Sequence, residues 1–307
     1  MLSRGAVFAL FYASGIAGLI YQVLWLRRLS VVFGVTVYAA STVLAAFMAG
    51  LAIGSVLSGR IVRRGISPLA AFGAAEILVG ATGLLSPLLL DAASTVYTAL
   101  HRASPDSLGL LTLARLVCSF AILAVPTAMM GVTLPLLSAA VTSADRASGV
   151  SISLLYATNT LGAMSGTLLS GLILIPAIGI QRAFLFAAAV NVAVGVIALW
   201  MSRRWAVIDK PEGLSPQVPN PASSGDKLLG LSIPIIVTVS GFASLGLEIA
   251  WFRLMLQFVT ATTEAFTAML ATVLGGIAIG GLIAASILRG PRDHVRWLGL
   301  VQALTGA

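Results

Sequence analysis

Residues 14–63 read SGIAGLIYQVLWLRRLSVVFGVTVYAASTVLAAFMAGLAIGSVLSGRIVR, and residues 240–289 read SGFASLGLEIAWFRLMLQFVTATTEAFTAMLATVLGGIAIGGLIAASILR. Set one above the other without a gap, the two windows agree at about a third of their positions. Trp25 meets Trp251, Arg27 meets Arg253, and Gly50 and Gly54 meet Gly276 and Gly280. Shared apolar composition pairs Leu with Ala freely, but it seldom pairs Trp with Trp and one Gly-xxx-Gly with another. The reading is an internal duplication, two copies of one membrane unit.

The 307 residues are 59% hydrophobic and 9% charged, with a mean hydropathy of +1.04. A soluble domain carries about 25% charged residues, so the chain reads as a bilayer protein. Its net charge of +8 would suit nucleic acid, but the arginines fall in short loops between apolar runs and read as topology signals. The single cysteine, Cys118, lies in an apolar run and excludes a disulfide framework. The apolar run after Arg4 is longer than a signal-peptide core of about 7–15 residues and reads as a retained first helix.

A spanning helix needs about 20 mostly apolar residues. Eight stretches qualify, at residues 5–26, 36–59, 68–90, 110–140, 150–175, 183–201, 231–255 and 262–288. The fourth carries Pro126 and Pro135, which predict a kink or break. A ninth apolar stretch starts near Trp297, and the sequence reads as part of a larger protein. Residues 202–230 are rich in Pro, Ser and Gly, hold both lysines, and predict a polar linker. The expected organisation is a first six-helix unit over 1–201, a cytoplasmic linker over 202–230, and the start of a second unit over 231–307.

With the N-terminus inside, 12 of the 18 basic residues fall on the inner side and 5 on the outer, with Arg115 inside a span. This bias puts the N-terminus and the linker in the cytoplasm. Arg27 and Arg28 sit against the rule. Trp25 and Trp251 near helix ends predict an interfacial aromatic belt.

Three ionisable residues lie within spans, Glu76, Arg115 and Glu248. Each is costly in hydrocarbon and is a candidate for binding a solute; the alternative is a structural hydrogen bond to a neighbouring helix. Counting about 1.5 Å per residue, Glu76 lies roughly 12 Å from the inner side and Arg115 roughly 8 Å from the outer, offset too far to pair directly. Gln22 occupies the position of Glu248 in the first copy. Asn159 and Asn191 add polar groups to the fifth and sixth spans. Gly50-xxx-Gly54, Gly162-xxx-Gly166 and Gly276-xxx-Gly280 predict close helix packing, as a moving interface or a static one. The two histidines lie in loops, no His-Glu-x-x-His occurs, and no Gly-x-Gly triplet opens a dinucleotide site. The expectation is no catalytic residue, metal or cofactor in this chain.

The loop GSVLSGRIVRRG (54–65), with Arg60, Arg63 and Arg64, resembles the basic inner loop of the major facilitator superfamily, with Ser58-Gly59 where that motif has an acid. Taken with STVLAAFMAGLAIGS, AEILVGATGLLSPLLL, PTAMMGVTLPLLS and LYATNTLGAMSGTLLSG, the chain resembles the membrane region of fused spermidine-synthase-like proteins. The resemblance covers all but the linker. It implies an all-α, facilitator-like bundle of transmembrane helices in the plasma membrane, with the first, fourth, fifth and seventh helices lining a cavity. Gln22, Arg115, Asn159 and Glu248 would then lie near that cavity, and Glu76 further out. It implies a polyamine-related membrane protein, with a soluble aminopropyltransferase-like domain in the whole protein. No residue of that domain can be carried onto this chain. Three functions stay open: a transporter-type module for a small cationic solute, a membrane anchor for the synthase domain, or an enzyme active on a membrane substrate. The lipid bilayer is the expected partner in all three.

Overall fold

The computed structural model describes residues 4–33, 37–104, 106–142, 148–205, 224–255, 257–258, 262–287, 289, 296–297, 299–301 and 303. Among them are eight α-helices: α1 (Arg4–Phe33), α2 (Val37–Arg63), α3 (Pro68–Ala103), α4 (Leu108–Thr142), α5 (Ser148–Leu168), α6 (Ile175–Trp205), α7 (Ser224–Met255) and α8 (Thr262–Ile287). A π-helical turn, Leu169–Leu174, joins α5 to α6. No strand occurs among the described residues. The protein is an all-α, polytopic helical bundle.

One apolar stretch, Gly149–Arg204, is 56 residues long and takes in both α5 and α6. At about 1.5 Å per residue it would reach roughly 84 Å, against a hydrocarbon core of about 30 Å. Gly179 divides it. Its φ of 78° and ψ of 168° are open to glycine and strained for other residues, and they break the helical path into two passes.

Several expected limits shift. α1 runs through Arg27 and Arg28 to Phe33, and α3 runs past Asp91 to Ala103. Hydropathy ends where charge begins, but a helix ends only where its backbone bonds end. α3 is 36 residues, roughly 54 Å, so it projects beyond the membrane. α6 runs to Trp205 and α7 starts at Ser224, so both take in part of the 202–230 stretch expected as a linker; residues 206–223 lie between them. Those residues, and most of the stretch after Arg289, lie outside the described part of the structure. α4 runs unbroken through Pro126 and Pro135. At the end of α2, Gly65 takes a left-handed φ of 72° and its N–H bonds the carbonyl of Val62; Ser67 then caps α3 ahead of Pro68.

Lipid is as apolar as leucine, so close backbone approach and hydrogen bonds hold such helices together. Three seams do this in the first six helices: α1 with α5, α2 with α4, and α3 with α6. On α2, a methyl group at Gly50 would collide with Thr127, and one at Gly54 with Ala128 and Gly131 of α4. On α5, Gly162 and Gly166 lie against the backbone of Tyr12 and Ile16 of α1. Gly73 of α3 and Gly195 of α6 each face the other's carbonyl.

Within the first six helices, the extensive contacts α1·α5, α2·α4, α3·α6, α3·α4 and α1·α6 have a hidden order. Exchanging α1 with α4, α2 with α5 and α3 with α6 maps the set onto itself. The sequence carries a mark of the exchange: Gly50, Gly54, Leu57, Ser58 and Gly59 of α2 recur at the same spacing as Gly162, Gly166, Leu169, Ser170 and Gly171.

α7 and α8 are attached differently. α8 packs along α5 and the π-helical turn after it: Gly281 meets Ala157 of α5, and Gly171 of the turn meets Thr267. The apolar window of α7 is only 11% buried. Gly276 and Gly280, expected to pack a helix, are exposed, and a methyl group on either would meet nothing within 4 Å.

Candidate functional site

Two polar positions lie inside this apolar framework, and they differ in kind. The first is in the core of the first six helices. Ser14 on α1 donates to Glu76 Oε1 at 2.6 Å, and Asn191 Nδ2 on α6 donates to Glu76 Oε2 at 2.6 Å. Glu76 on α3 is 1% exposed and Asn191 1%. Gly80, one turn beyond Glu76, leaves the space into which Asn191 and Val192 pack.

The cluster is the first rung of a ladder along the α1–α3 pair. Tyr21 lays its ring on Gly83, Trp25 donates from Nε1 to Ser86 Oγ at 2.8 Å, and Arg28 pairs with Asp91 at 3.3 Å. Ser86 in turn donates to the carbonyl of Gly83 at 2.6 Å. Pro87 has no N–H with which to serve that carbonyl, and the serine takes its place. Trp25 is therefore not part of an interfacial belt. It is fully buried and stacked on Tyr21 at 5.4 Å. Arg28, anomalous by loop charge, is held by Asp91 and by Gln181 at 3.3 Å.

The second position is a cleft where α2 meets α7 and α8. Ala40, Leu44, Glu248, Ile249, Phe252, Phe266 and Met269 line a shallow concavity, open to the outside, with a volume of only about 10 Å³. Leu44 follows Ala40 by one turn, and Phe252 follows Glu248 by one turn, so each pair shares a helix face. The rings of Phe252 and Phe266 meet edge to face at 5.4 Å. Glu248 is 8% exposed and has no hydrogen-bond partner among the described residues. Among the described side chains, the buried charged residues are Glu76 and Glu248; no arginine or lysine is buried. Nor does any group of three or more His, Cys, Asp or Glu among the described residues suit a metal ion.

The other candidates fall elsewhere. Gln22 is buried on α1 and Asn159 half-buried on α5, where its carbonyl lies against Gly15. Neither lines the cleft. Arg115 is on α4, and its side chain lies outside the described part of the structure. Arg60, Arg63 and Arg64 are exposed around the α2–α3 turn, while Trp251 is half exposed near the end of α7. Ser14 carries no signal in its own type, because a serine in a helix is commonplace. Its signal is positional: Ser14 and Tyr21 on α1, and Glu76 and Gly83 on α3, are each seven residues apart and share a face.

No protein-family model matches the chain, and no curated protein sequence matches it.

Proposed function

We propose that this chain is a transporter-type membrane module that binds a small organic cation at Glu248. The observation that carries the reading is a carboxyl group in an apolar cleft, with Phe252 and Phe266 beside it and no buried cationic side chain among the described residues to answer it. A carboxylate suits an ammonium group, and aromatic and aliphatic walls suit the methylene stem that bears it. An amine of the polyamine class has both features. The cleft lies between the six-helix unit and the α7–α8 pair, the kind of junction at which transporters place solutes.

Two observations support a facilitator-like architecture. The contact set survives the three-for-three exchange, an arrangement found within each half of facilitator transporters. In the register of the repeated windows the limits of α8 fall within two residues of those of α2, and the limits of α7 within six of those of α1, which supports a duplication. We place the N-terminus and residues 206–223 in the cytoplasm from the distribution of arginines. An impermeant thiol reagent should fail to reach a cysteine introduced at Ser215 in intact cells, and labelling from outside would reverse the orientation.

The second reading, an anchor for an aminopropyltransferase-like domain, draws on the resemblance of the quoted helical motifs to such fused proteins. Reconstituted vesicles separate the two. Spermidine accumulating in vesicles that contain the protein, and not in empty ones, supports transport; equal retention in both leaves the anchor.

A further inference from the structure

Ser14, Glu76 and Asn191 form an enclosed polar cluster, a hydroxyl and an amide N–H on one carboxyl group, that the Glu248 reading does not use. Glu76 brings a carboxyl group into the core of the first six helices, and both hydrogen bonds it receives from described residues come from neutral donors. An ionised carboxylate in such surroundings is very costly unless a positive charge accompanies it. Asn191 supplies the second observation. Its Nδ2 donates to Glu76, the residue is 1% exposed, and its Oδ1, at the other end of the amide, has no hydrogen-bond partner among the described residues. Two orientations of an asparagine amide differ by a half-turn that exchanges oxygen for nitrogen. The turn would present Oδ1 to whatever sits at Glu76.

We propose that the Ser14–Glu76–Asn191 cluster binds one monovalent inorganic cation, an alkali ion of the size of sodium. The ligands are both carboxylate oxygens, Ser14 Oγ and Asn191 Oδ1 after the amide turns. An all-oxygen set suits a hard cation. The charge selects the valence: one carboxylate neutralises one positive charge, whereas a divalent ion would leave a net charge in a low-dielectric core. The enclosure selects an inorganic ion, since Gly80 lies against Asn191 and Val192 and leaves no room for an organic stem. The ion joins α1, α3 and α6 at one point and so stabilises the unit whether or not any solute moves through the Glu248 cleft.

The test is the thermal unfolding midpoint of the purified full chain in detergent, as sodium chloride replaces choline chloride at constant ionic strength. The proposal predicts a saturable rise with sodium, a smaller one with potassium, and an unchanged sodium response in Glu248→Gln. Glu76→Gln should abolish the response, and Ser14→Ala should weaken the apparent sodium affinity roughly tenfold or more. A wild-type midpoint that is the same in sodium and choline overturns the proposal, as does a Glu76→Gln protein that keeps its response. Should Glu76→Gln fail to fold, Ser14→Ala decides: unaltered sodium affinity contradicts the site. Spermidine binding to the same preparation reports on Glu248 alone, so the two readings fail separately.

Discussion

Gly50 and Gly54 of α2 lie against the backbone of α4, while Gly276 and Gly280 of α8, at the same register of the repeated windows, face open space. Trp25 is fully buried and donates to Ser86, while Trp251 is 48% exposed. Gln22 is enclosed on α1, while Glu248 borders a cleft. Similar residues in similar helices thus meet different surroundings. A motif such as Gly-xxx-Gly gives a helix the capacity for close approach, and the partner decides whether that capacity is used.

The glycines give the largest expected contrast. Gly54→Leu places a side chain into Ala128 and Gly131 and should destabilise the detergent-solubilised protein by about 3 kcal/mol or prevent folding, because overpacking a tight seam costs about 1–3 kcal/mol or more. Gly280→Leu meets nothing and should stay within about 0.5 kcal/mol. Equal losses in thermal denaturation would show that α8 is packed as tightly as α2.

The two carboxyl groups give the next. Glu76→Leu strands Ser14 and Asn191 without their acceptor, and leaving them so should cost about 2 kcal/mol, within the range for abandoned buried groups. Glu248→Leu leaves no partner behind and should be neutral or mildly stabilising. A Glu248→Leu protein as damaged as Glu76→Leu would mean that Glu248 holds the fold together and is not reserved for a solute.

The tryptophans give a smaller effect. Trp25→Phe deletes the donor to Ser86 and leaves part of a filled core empty, for roughly 1–2 kcal/mol. Trp251→Phe should change stability by less than about 0.5 kcal/mol. Their midpoints, measured side by side, check whether burial or residue type sets the cost.

The all-helical class and the approximate places of the eight helices are legible in the sequence, because an apolar run of spanning length has few stable destinations besides a bilayer. Charge misleads at the helix ends, where Arg28 and Asp91 lie inside helices and hold each other. Trp25 misleads because an aromatic near a helix end suits the interface as well as it suits a core, and its partner Ser86 is on another helix. Of the Glu76 cluster, the sequence offers Glu76 and Asn191 as separate polar residues, 115 apart, and no local pattern joins such a pair. The repeat shared by α2 and α5 is present in the sequence, but its meaning depends on knowing that α2 packs on α4 as α5 packs on α1. For Glu248 the sequence shows a costly residue, and the structure adds the phenyl-lined cleft beside it.

Whether Glu248 binds an organic cation is decided by equilibrium binding to the purified chain. Radiolabelled spermidine should bind the wild type saturably, and Glu248→Gln, which keeps the size and shape of the side chain, should lose at least about tenfold in affinity, equal to about 1.4 kcal/mol. Equal affinity in wild type and Glu248→Gln would contradict a cation site at Glu248.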